Sequence, residues 1–541
     1  MTDVLGEFRA PAELIRRYHD AGVWRNQGPI SDLRRWQRER PDATAIIQWR
    51  NGVEAERISW AQYARHVERF AAALRELGVG RGDVVAVWLP NLWQVNALLL
   101  ACARIGAVNA PLLPTLRERE LSRILTRLGA KVVITVDEWA GFRHSRALET
   151  LAADLPQLRH RVVLGETRDG EIDFERFFHR TDPAAQLPDA AEDPDRLALV
   201  LFTSGTSGEP KGVLHSFNTI YAGIAPIATT ERIGPDDTMF IPHALTFIGG
   251  TLYGICMPLF AGATTVVLDS WDAATARRML RDTRTTVMFA GPIFFEQLIA
   301  AGGGEGLGLR LAVSGATTIP QQLVRELPDA LGVPLRTLWG MTEVAAQTWT
   351  RATDPWDWGT RSDGSPGPGL EIQLRGGDVV SKEQPARLFV RGAGVTLATL
   401  GRDSGTLRVL ADHDDGWYDT GDLAIPDGRG GIRIIGRVAD RIGTLFMIPV
   451  NDVEGQLLEH PDIDDVAVVG DDDERAVAVV VSHATPPPDV DDVRAFLTAK
   501  GMTDWYQPSR VEVVERLPRN SAGKVLKDLL RRWLRGEATL G

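Results

Sequence analysis

Along the first third of the chain, apolar residues recur in two alternating rhythms. From Trp60 to Leu77 they fall three and four residues apart, the spacing of one helix face. The run Gly78-Val79-Gly80-Arg81-Gly82-Asp83 then breaks the pattern as a turn, and Val84 to Leu89 is a short continuous apolar stretch of the kind that makes a fully buried strand. Val95 to Ile105 predicts a buried helix, and after Gly106 the segment Ala107 to Leu113 predicts another strand. The same strand signal returns at Lys131 to Val136, Leu197 to Thr203, Thr264 to Leu268, Thr286 to Ala290 and Leu311 to Val313. Such alternation predicts an α/β fold of layered, mostly parallel sheets covered by helices.

Past about residue 360 the texture changes. Turn clusters such as Gly364-Ser365-Pro366-Gly367-Pro368-Gly369 separate shorter strands such as Leu388-Phe389-Val390, which predicts a more antiparallel, β-rich subdomain. From Asp440 onward a compact α+β unit carries its own helices (Val453 to Glu459, Val490 to Lys500, Lys524 to Leu534) and the strand Val466 to Val469. The expected division is a large N-terminal domain over residues 1–439 and a small mobile C-terminal domain over 440–541. No fixed-period repeat is apparent, and Pro486-Pro487-Pro488 reads as a surface loop.

At 541 residues the chain is long enough for several packed units. With 44% hydrophobic and 24% charged residues its composition is that of a globular protein. A formal net charge of −12 argues against a nucleic-acid binder working through a broad basic surface, so any phosphate site must be a local cationic pocket. Cys102 and Cys256 stand far apart without metal-ligand spacing, which indicates neither a disulfide framework nor a zinc site and fits a reducing, cytoplasmic compartment. Asp3 and Glu7 precede any apolar run, unlike a signal peptide, and no stretch approaches the ~18 uninterrupted apolar residues of a membrane span.

The sharpest chemical feature follows the strand at Leu197: Thr203-Ser204-Gly205-Thr206-Ser207-Gly208-Glu209-Pro210-Lys211-Gly212. Small residues let several backbone N–H groups and hydroxyls approach phosphate oxygens, and Lys211 adds positive charge. The spacing Gly-x-x-x-x-Gly-Lys-Ser/Thr is absent, so this is not a P-loop of the Walker kind.

At this segment the chain resembles the adenylate-forming superfamily of acyl-CoA synthetases, luciferases and peptide-synthetase adenylation domains, and is closest in appearance to the acyl-CoA synthetases. Trp339-Gly340-Met341-Thr342-Glu343 resembles that family's aromatic-Gly-x-Thr-Glu segment. The resemblance implies Trp339, Gly340 and Met341 near adenine, Thr342 near the α-phosphate and Glu343 on Mg²⁺. A carboxylate in a polyphosphate site is repulsive unless a cation bridges it, which agrees. Trp417-Tyr418-Asp419-Thr420-Gly421-Asp422 is similar to the Tyr-x-Thr-Gly-Asp segment, implying Asp422 on the ribose hydroxyls. Gly436-Arg437-Val438-Ala439-Asp440 resembles the Gly-Arg-x-x-Asp segment, implying Arg437 on ribose or phosphate and Asp440 at an interdomain hinge. Leu517-Pro518-Arg519-Asn520-Ser521-Ala522-Gly523-Lys524 resembles the Pro-Arg-x-x-x-Gly-Lys motif, implying Lys524 as the lysine of adenylation. An ammonium suits that step, because attack of a carboxylate on the α-phosphate joins two anions. The motifs occur in the family's order, and the likeness extends through Gly78 to Val87 and Asn91 to Pro111, so nearly the whole chain takes part.

For the acid, Ser314-Gly315-Ala316, followed by Thr317, resembles the segment lining both adenine and acyl pocket, with Gly315 allowing close approach of backbone to ligand. Pro242-His243-Ala244-Leu245-Thr246-Phe247-Ile248-Gly249-Gly250 resembles the pocket segment, in which His243 either gates the carboxylate or is a satisfied core histidine. It holds no acidic residue of the sort that amino-acid-activating relatives use for an α-ammonium, and Phe247, Ile248 and Gly249 favour a medium-chain or cyclic apolar acid. One departure stands out: Gly443-Thr444-Leu445-Phe446-Met447-Ile448-Pro449-Val450-Asn451-Asp452 replaces the Lys and inner Gly the family usually carries after its hinge, where it borders the thiol tunnel.

The resemblance thus implies an AMP-forming acid:CoA ligase that uses ATP, Mg²⁺ and CoA, makes an acyl-adenylate, and turns its small domain about Asp440 before a thiol attacks. Two alternatives remain open: an acyl-AMP ligase loading a carrier-protein phosphopantetheine, and a non-catalytic nucleotide-binding regulator on the same fold. The natural acid and the oligomeric state are not legible.

Overall fold

The computed structural model describes residues 2–182, 187, 192–204, 210–316, 319, 321–377, 379–381, 385–401, 406–437, 442, 448, 450–473, 475–518, 525 and 527–540. Two nine-stranded sheets form its body. In chain-crossing order, the first runs Ser365–Pro366, Ala345–Trp349, Leu335–Met341, Leu311–Ser314, Val287–Ala290, Thr238–Phe240, Thr264–Leu268, Thr44–Arg50, Val53–Ser59. The second runs Leu407–Val409, Ala398–Leu400, Pro210–Ser216, Leu197–Ser204, Val108–Pro111, Val84–Trp88, Val132–Val136, His160–Leu164, Glu171–Asp173.

The alternation of helix and strand reads through into these layers. Val84–Trp88 is buried along its length because its two faces pack on different layers. Val85 and Val87 join the large core shared with Ile46, Phe70, Val267 and Phe289, whereas Val84, Ala86 and Trp88 join a second core with Leu121, Leu125 and Leu148. A strand covered on both sides has no polar face, which is why the sequence shows a run rather than an alternation. The helix Trp60–Glu76 starts where its periodicity starts, because Ser59 and Gln62 close a capping box: Gln62 N donates to Ser59 Oγ at 3.3 Å and Ser59 N donates to Gln62 Oε1 at 2.8 Å.

The sheets are mostly parallel, as the alternation predicts, with antiparallel pairs toward their edges. Their middles are parallel, but Thr44–Arg50 pairs with Val53–Ser59 antiparallel, and Leu335–Met341 pairs antiparallel with Ala345–Trp349. The pairs Leu197–Ser204 with Pro210–Ser216 and Pro210–Ser216 with Ala398–Leu400 are antiparallel too. Each exception that the site uses is a hairpin, and hairpins need only a short turn where a parallel pair needs a crossover.

The expected β-rich region is a four-stranded antiparallel sheet, Leu370–Arg375, Ala386–Gly392, Tyr418–Pro426 and Ile432–Arg437. The C-terminal part folds around the strands Asp465–Gly470, Ala476–Val481 and Arg510–Val513, with the helices Val450–Leu457, Val490–Ala499 and Lys527–Leu534. Its own core holds Val453, Leu457, Val466, Val468, Val493 and Leu497. It touches the rest of the chain at the helix Glu118–Leu128: Thr503 Oγ1 donates to the buried Glu120 Oε2 at 2.8 Å, and Arg117 Nη2 to Asp504 Oδ2 at 3.2 Å. Among the described residues no helix is long and apolar enough to cross a membrane.

Candidate active site

Leu197–Ser204 and Pro210–Ser216 are the two arms of a hairpin in which Thr203 lies opposite Lys211 and Ser204 opposite Pro210. The Ser/Thr/Gly segment is therefore the tip of that hairpin. Gly205, Thr206, Ser207 and Gly208 lie outside the described residues, as do Thr317, Asp440 and Lys524.

The hairpin Leu335–Met341 to Ala345–Trp349 carries Trp339, Gly340 and Met341 on its first arm and Thr342-Glu343 at its turn. A Cβ on Gly340 would stand 2.1 Å from the Ala345 carbonyl oxygen, so the turn closes this tightly only around a glycine. Glu343 is turned inward, with 6% of its side chain exposed. Its Oε1 accepts from Lys211 Nζ and, at 3.2 Å, from the Tyr418 hydroxyl, while Lys211 Nζ also donates to that hydroxyl at 3.0 Å. Lys211, Glu343 and Tyr418 come from three different sheets, and they meet at one point. A buried carboxylate without such partners costs several kcal/mol, so the contact fixes where the three sheets converge.

His215 stands two pleats along from Lys211 on the same strand and therefore on the same face. It is fully buried, its Nε2 lies 2.7 Å from the Thr342 carbonyl oxygen and its Nδ1 2.9 Å from Thr219 Oγ1. Burial pushes its pKa down to about 4, so the ring is neutral. Because a carbonyl only accepts, the single proton belongs on Nε2, and Nδ1 accepts from Thr219. His215 thus ties the Thr342-Glu343 turn to the Lys211 strand. His215 belongs to none of the motifs, although the strand period of two sets it on the Lys211 face.

On the other side of the turn, Trp339 Nε1 donates to Asp422 Oδ2 at 3.1 Å. Asp422 is 5% exposed, lies opposite Arg437 in the four-stranded sheet, and has its own backbone N–H held by Thr420 Oγ1 at 3.1 Å. The structure therefore brings Trp339, Thr342, Glu343, Lys211 and Asp422 together, with the Arg437 backbone beside them.

The two segments expected to line the acid pocket follow the strands Thr238–Phe240 and Leu311–Ser314, and Gly291 at the end of Val287–Ala290 stands between them. A Cβ at Gly291 would lie 3.5 Å from His243 Nε2 and 3.9 Å from the Gly315 carbonyl oxygen, so these three residues border one small space. His243 is 7% exposed, and among the described residues neither of its ring nitrogens has a hydrogen-bond partner; burial pushes its pKa down to about 4. It is a core histidine, but not a satisfied one. Its ring is edge-on to Phe294 at 5.1 Å and 6.2 Å from Phe247, beneath which Gly249 fits. At Gly315 the physical reason differs from the expected one. A Cβ there would stand 2.7 Å from the Leu338 carbonyl oxygen, so the neighbouring strand requires the glycine whether or not a ligand is near. Ala316 follows in the left-handed region with φ of 72°, a strained conformation of the sort that gathers at functional sites.

Among the described residues no group of three or more His, Cys, Asp or Glu side chains could hold a metal ion. Glu343 can therefore offer a cation one carboxylate, which fits an ion held mainly by phosphate and water and excludes a protein cage from the described side chains.

The family described as AMP-binding enzyme matches residues 33–398, and that described as AMP-binding enzyme C-terminal domain matches 452–524. The medium-chain fatty-acid–CoA ligase of Escherichia coli (strain K12) is 30% identical over 531 residues, covering 95% of this chain and 92% of its own. A 3-[(3aS,4S,7aS)-7a-methyl-1,5-dioxo-octahydro-1H-inden-4-yl]propanoyl:CoA ligase of Mycobacterium tuberculosis is 32% identical over 521 residues, covering 93% of this chain and 99% of its own. Among solved structures, the amide bond synthetase McbA from Marinactinospora thermotolerans superposes with a TM-score of 0.75 at 26% identity, covering 94% of this chain and 99% of that one.

Proposed function

The chain belongs to the AMP-binding enzyme family, and from that premise we propose that it is an ATP-dependent carboxylic acid:CoA ligase working through an acyl-adenylate. The observation that carries this reading is the convergence of Lys211, Glu343 and Tyr418 beside the Trp339–Asp422 pair. It sets a cation and a carboxylate on one side of the Thr342-Glu343 turn and an aromatic ring with a carboxylate acceptor on the other. The curated relatives compared above are CoA ligases, which supports free CoA as the acceptor.

In this reading Trp339 flanks the adenine, Asp422 accepts from the ribose hydroxyls, and the hairpin tip with Lys211 holds the phosphates. Glu343 would hold Mg²⁺, whose chemistry is to neutralise the departing pyrophosphate. Thr342, whose carbonyl is held by His215, presents its hydroxyl toward the α-phosphate. The acid lies past His243 with its carboxylate toward that phosphorus, and Lys524 bridges the two anions as they join. The acid itself is proposed as a medium-chain or cyclic one, since the residues placed around His243 (Phe247, Phe294 and Gly249) are apolar. Residues 440–541 act as a lid pivoting at Asp440. Buried, unpaired Cys102 and Cys256 fit a cytoplasmic setting.

Purified protein with ATP, Mg²⁺, an acid panel and CoA yields AMP and acyl-CoA. Transfer only to a phosphopantetheinylated carrier protein would replace free CoA with a carrier, and ATP binding without AMP formation would contradict catalysis altogether. Lys524→Ala lowers acid-dependent pyrophosphate exchange by on the order of 10²-fold or more, while a supplied acyl-adenylate is still converted. Exchange at the full rate would remove Lys524 from the mechanism.

A further inference from the structure

In the parallel pair Val287–Ala290 and Leu311–Ser314, Phe289 lies opposite Val313 and Ala290 opposite Ser314. Alternate residues share a face, and Gly291 continues the strand in extended conformation, so Phe289 and Gly291 point to the side on which His243 stands. Phe289 packs there with Val313, Ile241, Leu245 and Tyr253. At the rim of this face are Gly291, Gly315 and His243. Two residues deeper the Tyr253 ring lies flat on Phe289, with centroids 4.2 Å apart and planes 10° from parallel. At about 3.3 Å per residue the step from rim to floor is roughly 6–7 Å.

Tyr253 is 7% exposed, and its hydroxyl has no hydrogen-bond partner among the described residues. Burial alone pushes its pKa up, with no charged group contributing, so the hydroxyl is neutral and can both donate and accept. Polar groups inside a fold are normally paired, and a hydroxyl that the described residues leave without a partner is open to one from outside the fold. The backbone carrying it is a π-helical turn, Thr251–Cys256, a form that occurs mostly as short insertions at functional sites. Thr246 Oγ1, in the segment between His243 and this turn, is buried and has no hydrogen-bond partner among the described residues.

We propose that the Tyr253 hydroxyl is a specificity-determining contact that selects acids bearing a hydroxyl or keto oxygen at the end away from the carboxylate. This rests on the ligase reading above: the carboxylate sits at the rim beside His243, and the far end of the acid lies against the Tyr253–Phe289 stack. A plain hydrocarbon end leaves the hydroxyl unpaired, whereas an oxygenated end pairs it.

The test measures kcat/KM for acid-dependent ATP–pyrophosphate exchange with two matched pairs, cyclohexanecarboxylate against 4-oxocyclohexanecarboxylate and benzoate against 4-hydroxybenzoate. The full-length wild-type protein prefers the oxygenated member by roughly 10-fold, the effect of one neutral hydrogen bond. Tyr253→Phe brings that ratio near one by losing activity on the oxygenated member and not on the plain one. Because the hydroxyl has no partner among the described residues, the variant also melts no lower than wild type. A ratio that Tyr253→Phe leaves unchanged, a wild-type preference for the plain acids, or a melting point several degrees lower in the variant would each overturn the assignment. Exchange with plain acids but no preference sinks this proposal and leaves the ligase reading standing. Absence of exchange with every acid of either kind removes the ligase reading itself.

Discussion

A carboxylate where polyphosphate binds is repelled by it unless a cation stands close by, and Glu343 already has one in Lys211. Tyr418 fits between them with one proton, accepting from the ammonium and donating to the carboxylate. The histidines around this centre are kept neutral by burial. His215 and His243 both have pKa values lowered from 6.5 to about 4. The unfolded chain therefore binds more protons than the folded one between those values, so stability is complete above about pH 6.5 and declines as pH falls toward 4. Each shift corresponds to on the order of 3 kcal/mol when fully expressed. His243→Leu removes one of the two, so its melting temperature falls less steeply than that of wild type between pH 6.5 and 4.5. Equal slopes in a thermal-unfolding series would show that His243 is not held neutral by the fold.

At the scale of the element, the hairpin Leu335–Met341 to Ala345–Trp349 fixes Thr342 and Glu343, and Gly340 lets its arms close. Gly340→Ala forces a methyl against the Ala345 carbonyl and shifts the turn, costing at least about 10²-fold in pyrophosphate exchange because misplacement of about 1 Å is enough. Circular dichroism should stay that of the folded protein, and exchange within a few-fold of wild type would contradict the role given to this turn. Elements of this kind were legible in part. Thr264–Leu268 begins and ends where its apolar run does, and Trp60–Glu76 starts at Trp60 as its periodicity predicts. What the period could not show is pairing. Pro210–Ser216 folds back on Leu197–Ser204 through a short turn, but that this hairpin carries Lys211 and His215 to the Glu343 turn depends on contacts across more than a hundred residues. Likewise Gly315 could be read as a close approach, but that the approaching atom is the Leu338 carbonyl depends on sheet register.

For the whole molecule, the C-terminal part rests on the helix Glu118–Leu128 through Thr503 to Glu120 and Asp504 to Arg117. If the lid must turn between two half-reactions, a bond across this contact should stop it. A Cβ at Gly501 would lie 3.6 Å from Arg119 Cβ, within disulfide reach, although the φ of 71° at Gly501 strains a cysteine there by roughly 1–2 kcal/mol. The two native thiols do not compete, since both are buried and burial pushes their pKa values up to about 12. Arg119→Cys with Gly501→Cys, oxidised, loses at least about 10-fold of acyl-CoA formation and regains it on reduction. Unchanged turnover with the disulfide quantitatively formed would mean that the lid works without leaving this position.

In an acyl-adenylate a carboxylate oxygen of the acid is bonded to the α-phosphorus of ATP, and isotope transfer reports on that bond directly. With an acid labelled with ¹⁸O in its carboxylate, plus ATP, Mg²⁺ and CoA, mass spectrometry should find one ¹⁸O in the AMP and none in the pyrophosphate. Label in inorganic phosphate alongside ADP, or AMP free of label while acyl-CoA accumulates, would contradict the account.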